Sequence, residues 1–167
     1  MASPPLVAAD MFGRYAHAVN RGTAAEVGDC FTPDARLVLG AGRRFEGRAA
    51  IVAFYRGYVL DGLRTRCRAM RHKTSSLHAV DAADCVHAVC YYDVDALVVS
   101  DETDIWGLDV LADSIVHNAG RYDAEITTES GVPRFRALTI CSEWVSARPR
   151  IGPTHASDTT DSPQGET

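Results

Sequence analysis

DCVHAVCYYDVDALVV, residues 84–99, alternates between two kinds of side chain with a period of two. Such alternation, combined with many valines and tyrosines, is typical of a long β-strand with two different faces. Three more stretches, at 67–80, 114–127 and 134–146, have the same character. Short connections join most of these segments, so we expect neighbouring strands to run antiparallel. Residues 100–113 are long for a hairpin turn, and we interpret them as a lid or an interface loop.

The residues before the first long strand predict three helices. An apolar face recurs at helical spacing near the N-terminus, at Phe12, Tyr15, Ala16 and Val19. Thr23 followed by Glu26 has the spacing of a capping box and predicts a short second helix that runs through Phe31. A third helix follows Gly47 and is expected to stop near Gly62.

Helices followed by a long meander of strands predict an α+β fold. We expect three N-terminal helices packed on one face of a strongly bent, mainly antiparallel sheet, which gives a cone-shaped domain with a cavity. The domain covers residues 5–147. Residues 148–167 are rich in Pro, Ser, Thr, Gly and Asp and carry few large apolar side chains, which predicts a flexible C-terminal tail.

Composition excludes several classes of function. The 167 residues include 17 basic and 22 acidic ones, and the resulting net charge of -5 argues against a nucleic-acid-binding protein. No apolar run is long enough for a membrane helix, and the first residues do not predict a signal peptide. The five cysteines are odd in number and lack a CxxC pair, so we expect free thiols and a cytoplasmic location.

The negative charge is concentrated in one part of the chain. Between Thr74 and Gly120 there is no Lys or Arg, whereas nine Asp and Glu residues fall in that interval. These residues belong to two of the long strands and the loop between them, which we expect to lie near the cavity mouth. The pattern therefore predicts that a strongly anionic ligand is disfavoured on that side.

Five segments carry a resemblance to a known superfamily. They are RYAHAVNRG (14–22), CFTPDARLVLG (30–40), FEGRAAIVAFY (45–55), AGRYDAEI (119–126) and FRALTICSEW (135–144). The chain resembles the nuclear-transport-factor-2-like superfamily, in its SnoaL-like, ketosteroid-isomerase-like and scytalone-dehydratase-like branch. The resemblance implies a cone-shaped fold, a small apolar substrate, no cofactor and a homodimer formed through the sheet. It does not specify one activity, because this fold hosts isomerases, dehydratases, cyclases and non-catalytic modules.

Three positions bear on proton transfer. The resemblance places His72 where scytalone-dehydratase-like proteins have a catalytic histidine, and imidazole titrates in a range that suits a proton shuttle. Met70 shares the strand face of His72 and is expected to contact the substrate. Asn20 stands where many relatives carry Asp; it can orient a substrate or a water, or cap its helix, but cannot act as a base. Leu39 stands near the position of the ketosteroid-isomerase base, which argues against steroid isomerisation of that kind.

Hydroxyl and amide groups supply candidate donors. The resemblance places Tyr15 in the substrate-facing network and Tyr122 near an oxyanion-hole position, where a hydroxyl can donate to a developing enolate. Asn118 shares the face of Tyr122 and is a candidate to hold a carbonyl group. The alternative for both tyrosines is packing in the core. Phe54 and Tyr55, on the third helix, are expected to contact the substrate.

The strand at 84–99 allows two interpretations. Composition alone predicts that the more apolar set of positions, which includes Tyr92, is the buried face. The resemblance instead places the other set in the cavity, with His87, Tyr91 and Asp93 pointing inward. We favour the second interpretation, because the floor of a pocket can be both buried and polar. Asp93 would then tune His72 or His87, or replace the missing base.

Together these features predict a cofactor-independent dehydratase, isomerase or cyclase that acts by general acid–base chemistry on an apolar, oxygenated, polyketide-like molecule of secondary metabolism. The predicted catalytic residues are His72, Tyr91, Asp93, Tyr15 and Tyr122. The predicted substrate-binding residues are Asn20, Asn118, His87, Met70, Phe54, Tyr55 and Trp106, the last of which would help to close the cavity.

Other functions remain open at this stage. The missing carboxylates at Leu39 and Asn20 favour a non-catalytic module that binds a ligand or associates with a larger subunit. Epoxide hydrolysis requires an inward Asp–Arg–Asp set, for which Asp93 with Arg71 is the best candidate, although alternation puts Arg71 opposite His72. No metal is predicted, because the histidines lie on separate strands without a local ligand motif.

Overall fold

The computed structural model describes residues 3–99, 103–105, 108–110 and 112–149. Its helices are α1 (Pro4–Arg21), α2 (Ala24–Asp29), α3 (Arg48–Phe54) and α4 (Arg64–Arg66), with a π-helical segment at Tyr55–Leu63 between the last two and a 3-10 turn at Gly40–Gly42. Its strands are β1 (Phe31–Leu39), β2 (Arg44–Glu46), β3 (Cys67–Ala82), β4 (Cys85–Val98), β5 (Thr103–Ile105), β6 (Leu108–Val110), β7 (Ser114–Glu129) and β8 (Val132–Pro149).

Six of the strands form one sheet in the order β2-β1-β8-β7-β4-β3. Neighbouring strands run antiparallel except β1 and β8, which are parallel, with Leu37 opposite Leu138. The sheet is therefore mixed but mainly antiparallel, and the helices pack against it, which confirms the predicted α+β class. Within the predicted lid or interface loop, β5 and β6 pair as a separate two-stranded hairpin.

Helix α1 covers the inner face of the sheet with an apolar stripe. Proline begins the helix, where its missing N–H costs nothing, and the chain leaves the helix at Gly22. The stripe is buried at Ala8, Met11, Phe12, Tyr15, Ala18 and Val19. The ring of Phe12 stacks on Tyr122 of β7 and also contacts Phe135 of β8. No helix in the described part of the chain is long and apolar enough to cross a membrane.

Two predicted helix ends require correction. The capping box at Thr23 and Glu26 is present, with Thr23 N–H donating to the Glu26 carboxylate at 2.7 Å. The helix nevertheless ends at Asp29, because Phe31 is fully buried as the first residue of β1 rather than at a helix end. The third helix continues past Gly62 as π-helical turns and α4, so this glycine does not stop it.

The sheet bends at irregularities in the strand register. The pairing of β7 with β8 shifts between Ala119 and Gly120, which is typical of a β-bulge. A Cβ atom at Gly120 would lie 2.0 Å from the carbonyl oxygen of Cys141 and 2.8 Å from the hydroxyl oxygen of Tyr92. Glycine is therefore required at this position by close approach of the neighbouring backbone. The bend leaves a cavity between the inner sheet face, α1 and the π-helical segment.

Candidate functional site

The cavity has a volume of about 230 Å³, slightly below the range of roughly 300–1,000 Å³ that is usual for small-molecule sites. Most of its wall is apolar. Its polar side chains come from α1, the π-helical segment, the turn after β1 and the four strands β3, β4, β7 and β8: Tyr15, Arg43, Tyr55, Tyr58, His72, Tyr92, Asn118, Tyr122 and Ser142. A cavity of this composition suits a small, largely apolar ligand that also carries oxygen atoms.

His72 of β3 and Asn20 of α1 form a hydrogen-bonded pair at the cavity. The ring Nδ1 of His72 lies 2.6 Å from Oδ1 of Asn20, and His72 lines the cavity. An amide oxygen can only accept, so Nδ1 carries the proton and Nε2 keeps its lone pair. Burial lowers the pKa of His72 to about 4, which keeps the ring neutral at neutral pH. The amide oxygen of Asn20 therefore holds the His72 ring in position.

A cluster of tyrosines forms the most deeply buried part of the cavity wall. The hydroxyl oxygens of Tyr15 and Tyr55 lie 2.6 Å apart, and the ring of Tyr122 meets that of Tyr15 edge to face. Burial holds the pKa of Tyr15 and that of Tyr122 well above their usual range, and it raises the pKa of Tyr55 as well. All three hydroxyls therefore stay protonated, and in the Tyr15–Tyr55 pair one hydroxyl donates to the other.

A second polar group occupies the adjoining strands. The hydroxyls of Tyr92 and Ser142 both donate to Oδ1 of Asn118, at 3.1 and 2.9 Å. Burial raises the pKa of Tyr92 to about 12, so this hydroxyl is also neutral. Tyr92 and Ser142 were not among the predicted site residues. Tyr92 could have been found from its place in the apolar set of residues 84–99, which is the buried face. Ser142 could have been found because it lies two residues from Ile140 on the same strand face, and Ile140 also lines the cavity.

The prediction that His87, Tyr91 and Asp93 face the cavity is wrong. The alternate positions of β4, from Ala88 through Tyr92 to Ala96, are the buried ones, while Tyr91 is 46% exposed. The inner face must accept α1, so small and apolar side chains occupy it and the charged set points outward. There His87 pairs with Asp123, and Asp93 lies 3.3 Å from His117 rather than beside His72.

The other predicted residues divide as follows. Met70, Phe54 and Tyr55 line the cavity together with Tyr15, Tyr122, Asn118 and His72. Leu39, the position where the resemblance implied a missing base, also lines it. Trp106 lies outside the described residues. The described part of the chain holds no group of three or more His, Cys, Asp or Glu side chains placed to bind a metal ion.

Charge at the cavity differs from the expectation drawn from the sequence. None of the described residues that line the cavity is acidic, and the one with a permanent charge is Arg43, which sequence reasoning missed. Asp93 and Asp95 belong to the outer sheet face, where they contact His117, and Asp95 also pairs with Lys73 at 2.9 Å. The expected position of these two strand residues near the cavity mouth is therefore wrong.

Solved structures with the same fold support this description. LinA type 2, a hexachlorocyclohexane dehydrochlorinase, superposes with a TM-score of 0.68 at 14% identity, covering 90% of this chain and 93% of its own. LinA type 3 from Novosphingobium barchaimii superposes with a TM-score of 0.67 at 15% identity, covering 87% of this chain and 90% of its own. A proposed scytalone dehydratase from Novosphingobium aromaticivorans superposes with a TM-score of 0.69 at 12% identity, covering 88% of this chain and 93% of its own. At such identities the likeness establishes the fold alone.

The sequence itself provides the family. Among curated protein sequences, none is similar enough to this chain to count as a match. The profile of the SnoaL-like domain matches residues 8–139, which is most of the chain and contains the cavity residues from Tyr15 to Asn118. The chain therefore belongs to the SnoaL-like domain family.

Proposed function

We propose that this protein is a cofactor-independent lyase that eliminates water, or another small leaving group, from a small and largely apolar oxygenated molecule. The observation that carries the proposal is the Asn20–His72 pair, which presents an unprotonated ring nitrogen at a cavity lined by tyrosine hydroxyls. The family membership and the fold shared with a dehydrochlorinase and a proposed scytalone dehydratase are consistent with such an enzyme.

In the proposed reaction, Nε2 of His72 removes a proton from the carbon next to a carbonyl group. The electron pair of that C–H bond forms the new double bond as the leaving hydroxyl departs. A tyrosine hydroxyl of the Tyr15–Tyr55 pair donates its proton to the departing oxygen, and the proton held on His72 restores that tyrosine, so that one water is released. Asn118 and Tyr122 are the candidate groups for holding the carbonyl oxygen.

The low pKa of His72 limits what this base can do. A pKa of about 4, against an ordinary value of 6.5, means that the protonated ring is disfavoured by about 3 kcal/mol. Asn20 accepts a hydrogen bond but carries no charge to offset this. We therefore expect substrates with an acidified C–H bond, such as a β-hydroxy ketone. Double-bond isomerisation and aldol-type cyclisation begin with the same proton abstraction at an α-carbon, and α-exchange reports that shared first step.

Proton abstraction is testable without knowledge of the natural substrate. Small cyclic ketones such as 1-tetralone, and their β-hydroxy derivatives, are incubated in D₂O, and NMR follows deuterium at the α-carbon together with loss of water. We expect exchange with the wild-type protein and a decrease of about 100-fold in His72→Gln. Tyr15→Phe should slow water loss more than α-exchange. Equal exchange rates in wild type and His72→Gln would contradict the assignment of the base.

A second candidate function is binding without catalysis, either of a ligand in the cavity or of a larger subunit. The observation in its favour is that the described cavity wall holds no carboxylate and its histidine is a weak base. The same experiment separates the two candidates. Ligand-induced shifts in the spectrum of the protein, without α-exchange for any ketone, favour the binding module.

We also propose a cytoplasmic homodimer that forms through the outer face of the sheet. Among the exposed large apolar side chains of this face are Tyr91, Ile115 and Trp144, the last of which is 55% exposed. Large apolar side chains exposed on a sheet face favour association with a second copy. The five cysteines are free, which suits a reducing compartment. A role in polyketide-like secondary metabolism is part of the same proposal and depends on which ketones react.

A further inference from the structure

The mouth of the cavity carries a cation held in place by aromatic rings. Arg43 lines the cavity but is exposed, whereas the tyrosines at the other end are buried, so Arg43 lies at the solvent end. Its guanidinium carbon lies 5.6 Å from the ring centroids of both Phe45 and Phe54. These two rings stack on each other at 4.5 Å, so they present one continuous platform to the cation.

The backbone also fixes this position. The 3-10 turn at Gly40–Gly42 brings the chain back on itself, and Leu39 N–H donates to the carbonyl oxygen of Arg43 at 2.9 Å. Gly42 has a φ of +79°, the left-handed region that favours glycine, so the turn directly before Arg43 uses a residue suited to it. The aromatic platform and the closed turn together reduce the freedom that the guanidinium would lose on binding a ligand.

Among the described residues, Arg43 has no partner charge of its own. None of the ion pairs among the described residues includes Arg43, although other arginines such as Arg14, Arg48 and Arg136 have carboxylate partners. The described cavity wall contains no acidic side chain, and His72 is neutral at neutral pH. An arginine whose donors are unpaired in the described part of the chain, beside an otherwise uncharged apolar cavity wall, matches a ligand with an apolar body and one anionic end.

We propose that Arg43 recognises an anionic group, specifically a carboxylate, at the solvent end of the substrate. The planar guanidinium can donate two parallel hydrogen bonds to the two oxygens of a carboxylate. An uncharged amide has only one acceptor oxygen and cannot accept both bonds in this way. The body of the ligand then lies along Phe54 and Tyr58 toward the tyrosines. The inference deepens the proposed function, because it assumes that the cavity is the substrate site, and it narrows the substrate class to small aromatic or alicyclic carboxylic acids.

Paired probes test this directly. Dissociation constants are measured by ligand-observed NMR for benzoate and benzamide, trans-cinnamate and trans-cinnamamide, and 2-naphthoate and 2-naphthamide. We expect the wild-type protein to prefer at least one carboxylate over its amide by about tenfold. Arg43→Met should bring that ratio to within twofold while the affinity for the amide stays the same. Arg43→Lys should retain part of the preference, because the charge remains but the planar fork is lost.

A neighbouring arginine provides the matched control. Arg44 is exposed on β2 and is not among the residues that line the cavity, so Arg44→Met should leave the carboxylate preference unchanged. The inference is overturned if no carboxylate is bound more tightly than its amide by the wild type, or if Arg43→Met keeps the preference. His72→Gln should lose α-exchange yet keep the preference. The lyase proposal and the recognition proposal therefore fail through different measurements.

Discussion

Replacement of Asn20 by Asp should raise the pKa of His72 from about 4 toward neutrality. The two side chains already meet at 2.6 Å, so an isosteric carboxylate would accept the same hydrogen bond and add a full negative charge. That charge would lie about 4 Å from the centre of the imidazolium, where an effective dielectric constant near 20 gives about 4 kcal/mol of attraction. Burial of the new carboxylate offsets part of this, which leaves an upward shift of about two pKa units.

The shift is measurable by NMR titration of the imidazole protons. The chain has six histidines, and the His72 signal is assigned by its absence from the spectrum of His72→Gln. A base whose pKa lies closer to the working pH is more effective, so we expect α-exchange of 1-tetralone at pH 7 to become about tenfold faster in Asn20→Asp.

Two controls separate charge from hydrogen bonding. Asn20→Leu keeps the volume but removes the acceptor, so the pKa of His72 should stay low and exchange should slow as the ring loses its orientation. Asp123→Asn removes a carboxylate that contacts His87 on the outer face, and it should leave His72 unchanged. If the His72 signal of Asn20→Asp still titrates below about pH 5, the reasoning from the 2.6 Å contact is wrong.

Three further predictions concern stability and association. Because the pKa of His72 is depressed in the folded state, the unfolded chain binds the proton first as the pH falls. The free energy of unfolding of the wild type should therefore decrease as the pH drops from about 6.5 toward 4. In denaturant titrations, His72→Gln should lose about 3 kcal/mol of this pH dependence. Gly120→Ala should destabilise the fold by roughly 2–4 kcal/mol because its Cβ would meet backbone at 2.0 Å, whereas Gly13→Ala, with nothing within 4 Å, should be neutral or stabilising in the same thermal melts. Light scattering should show that Trp144→Glu is a monomer, whereas Leu6→Glu, which changes an exposed residue of α1, should remain a dimer. A monomeric wild-type protein would contradict the proposed dimer.

The strands could be predicted from the sequence because their signal is local. Alternation identified all four long strands to within a few residues, and the capping box at Thr23 marked the start of α2 correctly. The parallel pairing of β1 with β8 could not be derived in this way, because it joins residues about 100 positions apart and depends on how the whole sheet closes. The predicted end of the second helix was wrong because Phe31 is buried in the sheet as the first residue of β1.

The resemblance predicted part of the site correctly. It placed His72, Tyr15 and Tyr122 at the cavity, and all three line it. For the strand at 84–99 the simple compositional rule was correct, since Tyr92 supplies a polar hydroxyl from within the apolar set. Arg43 left no signal, because it follows a glycine-rich turn and reaches the cavity only through the three-dimensional packing of Phe45 and Phe54.

The glycine at position 120 has a consequence for redesign of the cavity. A side chain at this position would meet the carbonyl oxygen of Cys141 and the hydroxyl oxygen of Tyr92, which itself lines the cavity, so any larger residue here would displace that tyrosine or the backbone. Mutant libraries aimed at a different ligand should therefore leave β7 untouched at this position. They should vary β3 and the π-helical segment, where Met70, Val59 and Leu63 contribute replaceable side chains to the cavity wall.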